Sequence, residues 1–258
     1  MLATVAEIYN FIDTIAPFST QMSFDNAGFL VGYEQSSVHC VLCALDVTEA
    51  VIEEAVALQA ELIVSHHPVI YSPCKAVTDQ NRMGRILLQL IQCGIAVISA
   101  HTNLDISLGG VNDVLAQKLK LQNVSAFDQN GLGRIGMRNK ETPATMANFV
   151  EFVKTQLAVD ALRCYDAGRP VERIAVLGGS GGENVEAASK LGCDTYITSD
   201  VKHSQYLEAI SCGINLIDAG HFKTEDVVIP VLVQQLSEVF PAVQIFRSEV
   251  CTQPYLSY

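Results

Sequence analysis

No apolar run in the 258 residues approaches the ~18 that a membrane-crossing helix needs, so a helical membrane protein is not expected. A secretion signal is not expected either, since TVAEIYNFIDTIAP carries acids where such a leader carries Lys or Arg. That stretch reads instead as an amphipathic helix, with Thr4 and Glu7 as a capping box and Ile8, Phe11, Ile12 and Ile15 as one apolar stripe. Charge is scarce at 17%, and its balance is −12. With no Lys/Arg cluster to offset that repulsion, nucleic acid is not expected as a partner. Low charge beside 49% hydrophobic residues suits an α/β protein whose strands are covered on both faces.

A disulfide or zinc-finger framework is also absent. Of eight cysteines only Cys40 and Cys43 are close enough to form C-x-x-C, and they fall in VHCVLCALD, which reads as a buried strand. Residues three apart on a strand face opposite ways and cannot share a metal there. Cys74, Cys93, Cys164, Cys193, Cys212 and Cys251 stand singly, as small buried hydrophobes in a reducing compartment would, so a cytoplasmic location is expected. There is no G-x-S-x-G elbow and no P-loop. GLGRIG (Gly131, Gly133, Gly136) matches the dinucleotide fingerprint but follows a polar turn and leads into no helix, so it is rejected as one.

No linker divides the chain, but it resembles itself. VLCALDVTEAVIEEAVALQAELIVSHH from Val41 parallels AVLGGSGGENVEAASKLGCDTYITSD from Ala175, with Glu53/Glu186, Ala55/Ala188, Leu58/Leu191 and Val64/Ile197 all offset by 133 (186 − 53). Further on, CGIAVISAH from Cys93 parallels CGINLIDAGH from Cys212 at an offset of 119. Any two βαβαβ units share residue types, which is the plain alternative to true repetition. Either reading gives right-handed βαβ crossovers and an α/β fold of two related lobes, with mostly parallel sheets flanked by helices and a metal cleft between them. GLGRIGM reads as a strand and TPATMANFVEFVKTQLAV as a helix. The lobes are placed at 1–125 and 126–225, with 226–258 available to complete the first and no inserted third domain.

Ligands in open α/β sheets gather beyond the carboxyl ends of strands. ELIVS ends at His66 and His67, IAVISA at His101 with Asp105 beyond, and INLIDAG at His221 followed by Glu225. Only six histidines exist, and His39 alone sits inside an expected strand. His221 and Glu225 are four apart, so one helical turn stacks them on one face. His101 and Asp105 share that spacing, though Gly109 and Gly110 make their stretch read as loop. Imidazole with carboxylate and no thiolate suits zinc, iron or manganese. Five donors exceed one open tetrahedral site and point to two divalent metal ions. A lone His is ordinarily a hydrogen-bonded core residue; the case rests on all three strand ends being polar together. His101 is open to three roles: ligand, support for a ligand, or proton carrier, with His203 a second proton carrier. Asp25 and Asp200, in polar breaks, are expected to support ligands. GGSGGE lies between a strand and a helix start, so the amides of Gly179, Ser180 and Gly181 are a candidate anion cradle, a plain tight turn being the alternative.

At these residues the chain resembles the Nif-three-like family, whose bacterial members are named GTP cyclohydrolase 1 type 2 homologues. The resemblance is carried by SFDNAGFLVG, SHHP, HTNLD, GLGRIG, LGGSGG, TSDVKH and DAGHFKTE, which run from Ser23 to Glu225. It implies a dinuclear metal site on His66, His67, Asp105, His221 and Glu225, a toroidal homohexamer, and the compact form without an inserted domain. The function expected is a metal-dependent hydrolase acting on GTP or a phosphoester. The alternative is a non-catalytic metal-binding or regulatory scaffold that works through protein partners.

Overall fold

The computed structural model describes residues 3–256. Among them the chain forms two compact units: residues up to Leu108 with Ile229–Thr252, and Gly109–Val228 with the residues from Gln253 on. The division falls earlier than residue 125. Helix Val111–Lys118 and strand Gln122–Ala126 pack on Arg134–Met137 and its sheet, so they join the second unit.

In the first unit, five strands lie in the order Gln244–Arg247, Cys40–Ala44, Leu62–Ser65, Ala96–Ser99 and Gly28–Val31. All neighbours are parallel except Gly28–Val31, which runs antiparallel on the edge. Every residue of the three central strands is buried, which is why they read as unbroken apolar runs rather than alternating ones. Helices Glu49–Ala57 and Arg82–Cys93 cover one face through Val51, Ile52, Ala55, Ile86, Leu87 and Leu90. The returning helix Ile229–Val239 packs against Gln244–Arg247 and Cys40–Ala44. The first helix, Val5–Ile15, carries the expected Thr4–Glu7 capping box and buries Ile8 and Ile12, with Phe11 edge-on to Phe240.

The second unit departs from the expectation of a mostly parallel sheet. Its six strands run Gln122–Ala126, Arg134–Met137, Arg173–Val176, Thr195–Thr198, Asn215–Asp218 and Arg163–Tyr165. Only the inner Arg173–Val176, Thr195–Thr198 and Asn215–Asp218 are mutually parallel; the flanking pairings are antiparallel. The GLGRIG glycines serve that arrangement, since a Cβ on Gly133 would meet the Val176 carbonyl at 2.9 Å and one on Gly136 the Leu121 side chain at 2.8 Å.

The repeat is real at the level of hydrogen-bond register. Val41 pairs with Leu62 as Ile174 pairs with Thr195, each partner displaced by 133. Ser65 pairs with Ser99 as Thr198 pairs with Asp218, displaced by 133 and 119. The helix between the last two strands of each copy ends on a left-handed glycine, Gly94 at φ 68° and Gly213 at φ 60°, a conformation that any side chain would disfavour. All eight cysteines are free thiols. Cys40, Cys43 and Cys193 are buried, but Cys74, Cys93 and Cys164 are exposed, so the expectation of buried hydrophobes fails for those three. Among the described residues no helix is long and apolar enough to cross a membrane.

Candidate metal centre

Three parallel strands in the first unit end on one side, and the carboxyl ends of two of them deliver the imidazoles. His66 and His67 follow Leu62–Ser65, and their amides donate to the carbonyls of Ala44 and Leu45 at 3.2 and 2.9 Å. The ladder thus continues for two residues past the strand and fixes both backbones. His101 follows Ala96–Ser99. The three rings lie 5.1 to 5.6 Å apart between centroids, and each offers a nitrogen within 4.8 Å of the other two.

What fixes each ring is its Nδ1. That of His66 contacts the Ala100 carbonyl at 2.8 Å, that of His67 an oxygen of Asp46 at 2.9 Å, and that of His101 an oxygen of Asp25 at 2.7 Å. Carbonyls and carboxylates accept only, so Nδ1 carries the hydrogen and donates, leaving Nε2 as the lone-pair nitrogen. This is the arrangement that orients histidines around metals. Asp105 completes the group, with Oδ1 3.6 Å from Nε2 of His66. Two donors each about 2.1 Å from a tetrahedral cation sit about 3.4 Å apart, so nitrogen and oxygen are spaced as co-ligands. The donor set fits a divalent metal of the zinc, iron or manganese type.

Asp105 does not lie in a loop, as Gly109 and Gly110 suggested. It sits on a short helix, Thr102–Ile106. The helix start is capped from far away in sequence: Asp25 accepts from the Thr102 amide at 3.0 Å and from the Thr102 hydroxyl. Burial pushes the Asp25 carboxyl up, but hydrogen bonds from His101 and Thr102 outweigh it and hold the group well below the ordinary carboxylate range.

The second unit contributes a separate pair. After Asn215–Asp218 the chain turns at Gly220 into helix His221–Glu225. One turn brings Nε2 of His221 to 2.9 Å from Oε2 of Glu225, while Nδ1 contacts Asp200 at 2.7 Å. Glu225 is only 4% exposed. Its pocket is opened by Gly179, where a Cβ would come within 1.9 Å of Oε1.

Asp25 and Asp200 each lie within hydrogen-bond distance of a histidine Nδ1, that of His101 and of His221 respectively. Asp46 was missed, though it holds His67; it closes VLCALD at the end of Cys40–Ala44 and so bore the strand-end signal used for the histidines. The anion cradle is corrected: the amide of Gly179 donates to Thr224 at 3.0 Å and that of Gly181 to Thr198 at 3.0 Å. The loop of Gly179, Ser180 and Gly181 is therefore a tight turn, packed on Glu225 at Gly179 and on Thr198 and Tyr196 at Gly181. His203 opens helix His203–Cys212 in an exposed position, and its side chain makes no hydrogen bond or ion pair among the described residues.

A model of the Duf34/NIF3 (NGG1p interacting factor 3) family matches residues 3–254. The chain belongs to the DUF34/NIF3 family. It is 35% identical over 240 residues to a GTP cyclohydrolase 1 type 2 homolog of Clostridium perfringens, spanning 90% of each. It is 32% identical to a Helicobacter pylori protein named GTP cyclohydrolase 1 type 2, over 87% of this chain and 88% of that one. The solved Bacillus cereus protein related to NIF3 superposes with a TM-score of 0.93 at 25% identity, over 100% of this chain and 99% of that one. This NIF3-family chain thus shares the α/β fold of its relatives.

Asp200 offers a local test. It holds a left-handed φ of 53° that Asn tolerates and most residues do not. Asp200→Asn should lose little stability, whereas Asp200→Ala should lose about 1–2 kcal/mol in thermal unfolding. Both should weaken metal uptake, Ala by about 10–100-fold. Equal stability in the two variants would show that the backbone is not strained there.

Proposed function

We propose that the protein is a metal-dependent hydrolase in which His66, His67, Asp105, His221 and Glu225 hold two divalent cations. The observation that supports this most is the anchoring of the imidazoles at Nδ1 by Asp46, Asp25, Asp200 and the Ala100 carbonyl. A protein that used these histidines only for packing would have no need to fix their tautomers alike. When bound, the cations would supply Lewis acidity, lowering the pKa of a water and polarising the bond under attack.

The remaining work falls to the chain. His101, with Nδ1 donating to Asp25, is placed in this reading as the proton carrier: Nε2 takes a proton from the attacking water and returns it to the leaving nitrogen. Asp25 holds the ring and stabilises its protonated form, as a carboxylate does behind a catalytic imidazole. Asp46 and Asp200 orient His67 and His221. His203 is given no part. The names of the curated relatives favour GTP as substrate, with its purine ring opened and formate released; a phosphoester is the other hydrolytic candidate. The proposed assembly is a homohexamer.

The test is formate release from GTP by protein loaded separately with zinc, manganese or iron(II). Wild type should turn over, and His66→Ala should fall by more than about 100-fold, beyond what losing an outer-shell partner produces. Metal-loaded wild type that is inert toward GTP and a phosphoester panel would overturn the hydrolase reading and favour the non-catalytic scaffold.

A further inference from the structure

The proposed proton carrier has an aromatic neighbour that the fold does not use. The ring of Tyr71 stands perpendicular to that of His101, at 82° and 6.3 Å between centroids, while Tyr71 stays 51% exposed. A perpendicular contact covers at most one face of the tyrosine, and among the described residues its hydroxyl makes no hydrogen bond. A single exposed aromatic is ordinary on a protein surface; this one is distinguished by how its base is held. The Asn26 side-chain amide donates to the carbonyl of Ile70 at 2.5 Å, and the Asn26 backbone amide donates to Asp25 at 2.7 Å. Asp25 in turn accepts from Nδ1 of His101 at 2.7 Å. One dipeptide therefore fixes both the imidazole and the residue next to Tyr71, and Val69 is buried just before it. A ring on a slack loop would be no platform. Here the backbone at Ile70, beside the ring, is tied to the imidazole through Asn26 and Asp25.

A tyrosine presents a broad flat face at little conformational cost and keeps a polar tip in water. We propose that Tyr71 is the stacking platform for a planar heteroaromatic ring, a purine nucleobase, which it presents to His101. The proposal rests on the reading above in taking His101 as the place of chemistry, and it adds the part of the substrate that is recognised there. Base–aromatic stacking contributes about 1–3 kcal/mol by alanine substitution, or roughly 5- to 150-fold in affinity. It depends on the ring rather than the hydroxyl.

The chain contains no tryptophan, so Tyr71→Trp installs a single fluorescent reporter at the platform. Tyr33→Trp, at another exposed tyrosine of the same unit, serves as the control. Titrating guanosine into the full-length protein should quench Tyr71→Trp saturably and leave Tyr33→Trp with only collisional quenching, and ribose 5-phosphate should quench neither. By calorimetry Tyr71→Phe should bind guanosine as wild type does, and Tyr71→Ala at least about 5-fold more weakly. No saturable quench, an equal response to ribose 5-phosphate, or unchanged affinity in Tyr71→Ala would each overturn the proposal. The readout needs no turnover. Quenching without formate release or phosphoester turnover would sink the hydrolase and keep the platform; formate release without quenching would do the reverse.

Discussion

Gly179→Ala should abolish metal binding by the His221–Glu225 pair and destabilise the second unit. Two effects act together. The position holds φ 67°, where an L side chain costs about 1–2 kcal/mol. The added methyl would also come within 1.9 Å of Oε1 of Glu225, and the carboxylate cannot simply swing aside because Glu225 is 4% exposed. The two effects are separable with Gly168→Ala, since Gly168 has φ 73° and a methyl added there would meet nothing within 4 Å. Gly168→Ala should lose only the backbone share and keep wild-type metal affinity. Gly179→Ala should lose that share in thermal unfolding and in addition at least about 100-fold in affinity by competition with a chelator, more than an outer-shell loss produces. Equal affinities in the two variants would mean that Glu225 does not ligate.

Asp25→Ala should be the most damaging change outside the proposed ligands. The carboxylate accepts from His101, from the Thr102 amide and from the Thr102 hydroxyl. Its loss frees the His101 ring and uncaps the helix that carries Asp105. A drop of about 10–100-fold in metal affinity is expected from releasing the helix under Asp105, with about 1–3 kcal/mol of stability from the buried donors left without an acceptor. The pH dependence has a definite sign. Because the folded-state pKa is depressed, the Asp25 contribution is fully present above the ordinary aspartate value near ~4 and is lost as pH falls below it. Metal-free wild type should therefore lose more stability than metal-free Asp25→Asn between about pH 4 and pH 2. Parallel acid titrations would show that Asp25 is not held in its charged form.

The parts of the fold and site that were legible in sequence are those with local causes. Buried parallel strands gave continuous apolar runs at Val41, Leu62 and Ala96, and the 133-residue offset reappears in the pairing of Ile174 with Thr195. His221 and Glu225 were found because one helical turn is a local rule, and the structure has them 2.9 Å apart. What escaped depends on distant partners. The helix under Asp105 was read as loop because its cap, Asp25, lies 77 residues away. The unit boundary was set too late because the destination of Val111–Lys118 is decided by packing on a sheet formed afterwards. Antiparallel edges in the second sheet were missed because strands such as Arg163–Tyr165 are three residues long and largely exposed, without the apolar run that marks a strand. The glycines of GGSGGE were noticed for their amides, but a Cβ would collide with Glu225 at Gly179, with Thr198 and Tyr196 at Gly181 and with Gln205 at Gly182, and only the folded chain places those partners.

In the proposed site His66 and His67, from one strand end of the first unit, ligate divalent metal with Asp105 and the His221–Glu225 pair. Anomalous scattering from crystals of the metal-loaded protein, recorded on either side of the metal's absorption edge, tests it most directly. Two peaks per chain are expected, each within about 2.3 Å of nitrogens or oxygens drawn from His66, His67, Asp105, His221 and Glu225. Crystals that bind the metal elsewhere, or show no peak at these side chains after loading, would contradict it.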